Sequence, residues 1–334
     1  MSARVSDSWS YDGFGALVLE NRALRVTVLP ELGGHVLELV DKAADRNLLW
    51  SNPRTKPRRA PYGANFDDWW SGGWDEIFPT GDRCDFRGEP LPYMGELWSV
   101  PWTASIGSGG GAAWIEAAGC GTMVPSRLER RLELRGDDPV LYVTYRLVSL
   151  DVAPFPYLWG IHPCFAVTPD HAIDVPAHQM LVGVSSGAAM GELGTAYEWP
   201  EQPSPAMSGG IRDVRRVLPA SAGVFGGHWA TKLEHGWLAL TDTRSRRGVA
   251  LAFPREVFGS AWLWQVYGGW RGHHHLCLEP WTGYPMELEQ ADRAGRARVL
   301  NPGEAVAAEV DFILHEGLDR VSAVEADGDG WRVR

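Results

Sequence analysis

The sequence predicts an all-β fold, a large antiparallel β-sandwich. Apolar and polar residues alternate in many short stretches, which is the pattern of strands that bury one face. The chain contains 39 glycines and 23 prolines, and these residues separate the stretches into strands and turns. No stretch combines a sustained helical apolar period with capping residues, so we expect only short helical turns near residues 63 to 71 and 220 to 228.

Turn residues bound the clearest strands. Leu24, Val26 and Val28 alternate in "ALRVTVLPELGG", and this stretch then breaks at a proline and a glycine pair. Two strands around a Gly-Asp-Asp-Pro turn are predicted for "SRLERRLELRGDDPVLYVTYRLVSL", and "WLALTDTRSRRGVALAF" repeats that scheme. A last strand is predicted in "NPGEAVAAEVDFIL", with Val306 and Phe312 on one face.

Bulk properties restrict the class of function. No linker composition, repeat or low-complexity tract marks a boundary, so we expect a single sandwich domain over residues 1–334. The formal net charge is −11, which argues against nucleic acid as a partner because phosphate binding needs clustered basic residues. We find no secretory signal and no apolar stretch of membrane-spanning length, and therefore expect a cytoplasmic protein with no membrane partner.

The cysteine content and the tryptophan content have different implications for function. The 4 cysteines are widely separated without CxxC spacing, so we expect reduced structural thiols and no metal site. The 17 tryptophans are an unusual number, and a Trp ring packs well against the C–H face of a sugar. Large β-sheet cores also use many aromatic residues, so composition leaves carbohydrate binding and core packing as equal alternatives.

Two segments combine carboxylates with aromatic side chains. In "NFDDWWSGGWDEIFPTGD" a glycine pair precedes Trp74 and Asp75, and a tight turn there can place both over a pocket. In "PYMGELWSVPW" we expect an extended segment with Glu96 and Trp98 on the same side. Sugar hydroxyls need such carboxylates beside aromatic platforms. The alternative for the first segment is a solvated acidic loop whose tryptophans close one end of the sandwich.

Single titratable residues stand in two apolar runs. His162 lies in "PYLWGIHPCFAV" and Glu279 in "HLCLEPWTGYP". A histidine in such a run is usually a hydrogen-bonded core residue, whereas a carboxylate there is costly unless it is paired or used in catalysis. Trp264 shares a strand face with Trp262 upstream of Glu279. The tract at residues 273–275, three consecutive histidines, resembles a metal tract, but we interpret it as a solvated turn.

Together these segments resemble the galactose mutarotase-like superfamily, the aldose 1-epimerases and their relatives. The resemblance is carried, in chain order, by "LPELGGHVLELVDKAADRNLLW", "GGWDEIFPTGD", "GELWSVPW", "GIHPCFAV", "LCLEPWTGYP" and "LNPGE". It implies a β-supersandwich with a sugar site on its concave sheet. One departure is Met94, which stands where many relatives have a histidine.

The resemblance implies an isomerase that interconverts the α and β anomers of a free aldose. His162 falls at the position of the general acid and Glu279 at that of the general base. The reaction is proton transfer alone, so no cofactor is expected, and a small-molecule sugar is the expected partner of a monomer or homodimer. The residues expected to bind the substrate are Trp74, Asp75, Glu96, Trp98, Trp264 and Trp281.

Two other functions remain open on the same fold. A non-catalytic sugar-binding or sensor protein would keep the tryptophans without needing a proton relay, and Met94 favours that alternative. A lyase would need cations to neutralise a uronate, which the acidic segment around Asp75 argues against. A shared fold alone does not establish function.

Overall fold

The computed structural model describes residues 2–204, 206, 208–328 and 330–334. Strands make up 53% of the structure and helices 6%, so the all-β prediction is confirmed. Within the described residues, no helix is long and apolar enough to span a membrane.

Most of the secondary-structure elements are joined by short connections. The strands up to residue 165 are β1 (Arg4–Tyr11), β2 (Phe14–Glu20), β3 (Leu24–Leu29), β4 (His35–Asp41), β5 (Arg46–Asn47), β6 (Trp74–Ile77), β7 (Cys84–Phe86), β8 (Glu89–Leu91), β9 (Thr103–Gly109), β10 (Ala112–Cys120), β11 (Ser126–Arg135), β12 (Val140–Ser149), β13 (Phe155–Tyr157) and β14 (Gly160–Phe165). The later strands are β15 (His171–Asp174), β16 (Ala177–Ser185), β17 (Ala196–Glu198), β18 (Glu201–Pro203), β19 (Ile211–Asp213), β20 (Val224–Leu233), β21 (Trp237–Asp242), β22 (Arg247–Ala252), β23 (Ser260–Tyr267), β24 (His274–Trp281), β25 (Arg298–Leu300), β26 (Ala305–Glu309), β27 (Asp311–Glu316), β28 (Val324–Asp327) and β29 (Gly330–Val333). The α-helices are α1 (Phe66–Trp69) and α2 (Leu288–Arg293), and the 3₁₀ turns are Pro30–Leu32, Ala188–Met190, Ser208–Gly210 and Ala220–Ala222.

The chain divides into two compact units, each made of two separate stretches. The first unit comprises Met1–Pro163 and Trp281–Val310, and the second comprises Cys164–Pro280 and Asp311–Arg334. Two of the three boundaries fall inside β14 and β24, and the third falls between β26 and β27. A single domain over residues 1–334 stays a prediction.

The first unit is a sandwich of two antiparallel sheets. One sheet has the strand order β1-β2-β3-β4-β6-β14, and the other has the order β9-β10-β11-β12 with β26 beside β12. Arg130 of β11 is paired with Glu76 of β6 across the core, and both side chains are fully buried. Side chains alternate between the two faces of a strand, so Asp75, next to Glu76, points to the other face of its sheet.

The second unit is also built from antiparallel sheets. One contains β24-β23-β20-β16-β17 and the other β15-β21-β22-β27. The aromatic side chains of Trp229 and Trp262 pack together on the paired strands β20 and β23, with ring centroids 4.7 Å apart. Buried apolar residues of both sheets form the core.

Most of the predicted strands and turns are confirmed. β3 and its turn, the β11–β12 hairpin and the β21–β22 hairpin all form, and the short helical turns are α1 and the 3₁₀ turn Ala220–Ala222. Three details differ. Helix α2 was not predicted. The expected last strand is divided at Val310 into β26, which pairs with β12, and β27, which pairs with β22. Residues 92–100 form turns rather than an extended segment, and both Met94 and Gly95 have positive φ.

Candidate active site

A buried imidazole and carboxylate pair lies on the face of β6 that points away from the sandwich core of the first unit. Nδ1 of His35 lies 2.8 Å from Oδ1 of Asp75, and both side chains are 5% exposed. His35 Nε2 lies 3.4 Å from the Ser71 hydroxyl oxygen. Gly73 permits this close approach, because a Cβ atom there would lie 2.6 Å from Cε1 of the His35 ring.

His162 stands beside this pair. On β14 it is the register partner of Asp75 on β6, so the two side chains leave the same face of the sheet. Burial lowers the pKa of His162 to about 4, Asp75 opposes that shift, and His35 adds to it. The imidazole is therefore neutral at pH 7 in the protein without substrate.

Aromatic rings cover His162 and the His35–Asp75 pair. Phe66 of α1 and Trp70 contact the His162 ring, with centroids 5.7 and 5.4 Å away. Trp98 lies edge-on against Phe66 at 5.0 Å. These side chains help to enclose a cavity of about 30 Å³ that His35 and Asp75 also line. A space of that size is on the scale of a single water molecule.

Trp98, which lines this cavity, also carries a buried polar group. Its indole Nε1 is buried and has no hydrogen-bond partner among the described residues. A buried indole N–H is normally paired, because leaving it unpaired costs the desolvation free energy of the group. Trp98 thus combines an apolar ring with a donor that a ligand hydroxyl can satisfy.

Glu96, predicted together with Trp98 to bind the substrate, forms hydrogen bonds with other groups of the protein. Its carboxylate accepts hydrogen bonds from the Tyr62 hydroxyl at 2.8 Å and from the backbone N–H groups of Thr122, Met123 and Val124 at 3.1, 2.6 and 3.1 Å. The side chain is fully buried. This placement favours a structural role, in which Glu96 holds the connection between β10 and β11.

Two of the predicted sugar-binding tryptophans are packed inside the first unit. Trp74 is fully buried on the core side of β6, and the Arg130 guanidinium lies 5.3 Å from its ring centroid. Trp281 is fully buried against Gly160 and Gly81, since a Cβ atom at either glycine would lie within 2.7 Å of its ring. Both placements favour packing over contact with a ligand.

Met94, which replaces a histidine of the resembling family, is also buried. It adopts a left-handed backbone conformation with φ of 63°, and its N–H donates to the Gly81 carbonyl oxygen at 3.0 Å. Only 4% of its surface is exposed. The position thus offers a thioether where the family pattern offers a ring nitrogen.

In the second unit, Glu279 lies on β24 and is 1% exposed. Trp264 of β23 is half-buried, and its ring is stacked on Trp262 with centroids 6.5 Å apart. Phe225 and Trp270 contact Trp264 edge-on at 5.7 and 6.2 Å. These rings form an aromatic platform with Trp264 at its centre.

The three consecutive histidines are not a solvated turn, and that expectation was wrong. His273 and His275 are 4% and 0% exposed, and β24 begins at His274. Trp270 covers this side of the tract, with its ring 5.3 Å from His273 and 6.5 Å from His275. The strand formed by the following apolar run begins inside the tract, at His274.

The first unit therefore brings together Asp75, Trp98 and His162, and the second unit holds Glu279 and Trp264. Sequence reasoning missed His35, Phe66 and Trp70 as parts of the site. The "FDDWW" sequence that contains α1 was recognised as aromatic and acidic, but nothing in it indicates that Phe66 and Trp70 face His162.

Comparisons with known proteins support the fold. No protein-family model matches the sequence, and no curated protein is significantly similar to it. Solved structures do match. The Slr1438 protein from Synechocystis sp. PCC 6803 is 19% identical with a TM-score of 0.68, and the match covers 93% of this chain and 99% of that one.

Two further matching structures are described by an activity or a family. A candidate aldose 1-epimerase from Klebsiella pneumoniae is 14% identical with a TM-score of 0.70, and the match covers 94% of this chain and 83% of that one. A galactose mutarotase-like protein from Clostridium acetobutylicum is 13% identical with a TM-score of 0.66, and the match covers 94% of this chain and 99% of that one. At these identities the likeness concerns the fold. The chain has the all-β, galactose mutarotase-like supersandwich fold.

Proposed function

We propose that the protein is an aldose 1-epimerase-like isomerase that interconverts the α and β anomers of a free aldose. The observation that carries the proposal is the buried group of His35, Asp75 and His162 beneath aromatic rings, on the sheet face away from the core. The likeness in fold to a candidate aldose 1-epimerase supports it. Buried titratable groups beside an aromatic wall are typical of sites that move protons.

The resemblance assigns the two proton-transfer roles. His162, which is neutral at pH 7 without substrate, first takes up a proton. Glu279 then removes the proton from the C1 hydroxyl while the His162 imidazolium donates its proton to the ring oxygen, so the ring opens to the aldehyde. C1 then turns about the C1–C2 bond and the ring closes on the other face, with the two residues exchanging roles. Positioned proton transfer of this kind contributes about 10²–10⁴-fold to the rate for each group.

Other residues would position the sugar and the acid. Asp75 and His35 support His162 on the shared face, Trp98 offers an N–H and an apolar ring, and Trp264 offers a stacking platform in the second unit. The net charge of −11 and the Asp75 carboxylate favour a neutral substrate over an anionic one. The expected partner is therefore a small neutral sugar.

A second candidate is a sugar-binding protein without catalysis. One observation favours it: Met94 lacks the ring nitrogen of the family pattern. Binding without proton transfer would need the aromatic platforms and no acid or base.

One experiment separates the two candidates. Saturation-transfer NMR of anomeric protons would be recorded on a panel of neutral and phosphorylated aldoses, with and without the protein. The isomerase predicts faster transfer between the α and β signals for at least one sugar. Line broadening without faster anomer exchange would favour the binding protein.

A further inference from the structure

A second group of chemically distinctive side chains lies in the second unit. His275 and Cys277 occupy alternate positions of β24 and share one face of that strand. Cys164, from β14, belongs to the same unit. All three side chains are fully buried.

The potential ligand atoms of these residues converge. The sulfurs of Cys164 and Cys277 and a ring nitrogen of His275 all lie within 4.8 Å of one another. The pair on β24 is closer, with 3.9 Å between Cys277 Sγ and His275 Nδ1. On a tetrahedral zinc ion with bonds of about 2.3 Å to sulfur and 2.0 Å to nitrogen, neighbouring ligand atoms are about 3.5–3.8 Å apart. Small side-chain rotations therefore bring the three atoms to zinc-binding distances.

The donor types select the metal. Thiolate sulfur and imidazole nitrogen suit Zn²⁺, whereas Mg²⁺ and Ca²⁺ prefer oxygen ligands. The Trp270 ring lies edge-on to the His275 ring, with ring centroids 6.5 Å apart, and restricts the orientation of that imidazole. Three protein ligands leave one tetrahedral position for water or a further group. The Glu279 carboxylate, two residues further along β24, lies within 4.8 Å of Cys277 Sγ.

We propose that Cys164, His275 and Cys277 bind one Zn²⁺ ion in the second unit. Binding displaces the thiol protons of both cysteines, since the thiolate is the form that ligates the metal. The two cysteines come from different strands and lie far apart in the sequence. The spacing of the cysteines therefore did not predict this site. The proposed zinc site adjoins Glu279, the proposed base, but its tests measure bound metal and do not depend on isomerase activity.

The first test is the metal content of the whole chain. The protein would be produced with added zinc, purified without chelators and analysed by mass spectrometry of its metals, with parallel Cys277→Ser and Cys120→Ser variants. We expect about one zinc ion per chain for the wild type and for Cys120→Ser, whose cysteine is exposed, and at least a tenfold loss for Cys277→Ser.

A second measurement needs no variant and so does not depend on one that folds. Co²⁺ added to metal-free wild-type protein with all thiols reduced should give thiolate-to-cobalt charge-transfer absorption, and zinc should abolish it. Absence of both bound zinc and this absorption would overturn the proposal. So would isolation of the native chain with Cys164 and Cys277 joined as a disulfide and no metal bound.

Discussion

His35 and Asp75 form a buried pair at 2.8 Å, on the same sheet face as His162. Asp75 reaches this position from β6 and His35 from β4, and the glycine at position 73 lets the imidazole pass close to the backbone. The carboxylate holds the His35 imidazole in one orientation through their hydrogen bond. Through its charge, Asp75 also raises the pKa of the proposed acid, His162, against the effect of burial.

We predict that Asp75→Asn slows anomer interconversion by up to about 10²-fold, because loss of the carboxylate removes the charge that favours a protonated His162 and the hydrogen-bond partner of His35. The effect should fall on kcat, with KM nearly unchanged, since Asp75 acts through His162. Anomer-exchange rates over a range of sugar concentrations give both constants. Asp68→Asn, in the same segment but exposed, is the control. Equal kcat for wild type and Asp75→Asn would show that the pair has no part in the reaction.

Glu96→Gln should lower the free energy of unfolding by about 1–3 kcal/mol, because the carboxylate accepts one hydroxyl and three backbone hydrogen bonds in a buried place. Tyr62→Phe removes only one of these bonds and should cost about 0.5–1.5 kcal/mol. Urea unfolding measures both, and hydrogen exchange should show faster opening of residues 122–124 in Glu96→Gln. A variant as stable as the wild type would argue against the structural role.

Arg130→Met should lower the free energy of unfolding by about 3–5 kcal/mol, because it leaves Glu76 as a buried charge without its ion-pair partner. The Tyr145 hydroxyl and the Trp159 indole N–H still donate to Glu76 at 2.7 and 3.4 Å, but two neutral donors do not replace a guanidinium. The ion pair of exposed Arg4 and half-buried Glu20 supplies the control, and Arg4→Met should cost less than about 1 kcal/mol. Similar losses for the two variants in urea unfolding would contradict the prediction.

Acid should destabilise the second unit through His228. Burial, reinforced by the charge of Arg212, lowers the pKa of His228 to about 3, and its ring nitrogens contact the Tyr197 hydroxyl at 2.6 Å and the Met190 carbonyl oxygen at 3.0 Å. Below pH 6.5 the unfolded chain binds a proton that the folded chain does not, so the contribution to stability falls as the pH falls from about 6.5 towards 3.

The expected slope from this residue is at most about 1.4 kcal/mol per pH unit. His228→Gln should remove that part of the pH dependence, whereas His235→Gln, at an exposed position, should leave it in place. Urea midpoints between pH 7 and pH 4.5 give the slopes. Parallel curves for wild type and His228→Gln would exclude His228 as the source.

Local sequence patterns predicted most strands because alternation and turn residues act over short distances. The β11–β12 hairpin, with its Gly-Asp-Asp-Pro turn, is an example. Helix α2 was missed because six residues are too few to show a helical apolar period. The tract at residues 273–275 was misread because three polar residues in a row look solvated, whereas tertiary contacts with Trp270 bury His273 and His275.

The candidate site was less predictable than the fold. Asp75 and His162 stood out as titratable residues in aromatic surroundings, and the structure places them opposite each other in register. His35 lies 40 residues before Asp75, and only the pairing of sheet strands brings it near. Glu96 and Trp74 looked equally suited to a sugar, but their hydrogen bonds and packing depend on residues distant in the sequence.

The most direct test of the proposed proton transfer is anomer exchange by NMR with wild-type protein, Glu279→Gln and the exposed-site control Glu309→Gln, on one aldose that the wild type interconverts. We expect that Glu279→Gln still binds the sugar but slows exchange by about 10²–10⁴-fold, because the base is lost while its shape is kept. Glu309→Gln should match the wild type. Unchanged exchange in a folded Glu279→Gln protein would contradict the assignment of Glu279 as the base.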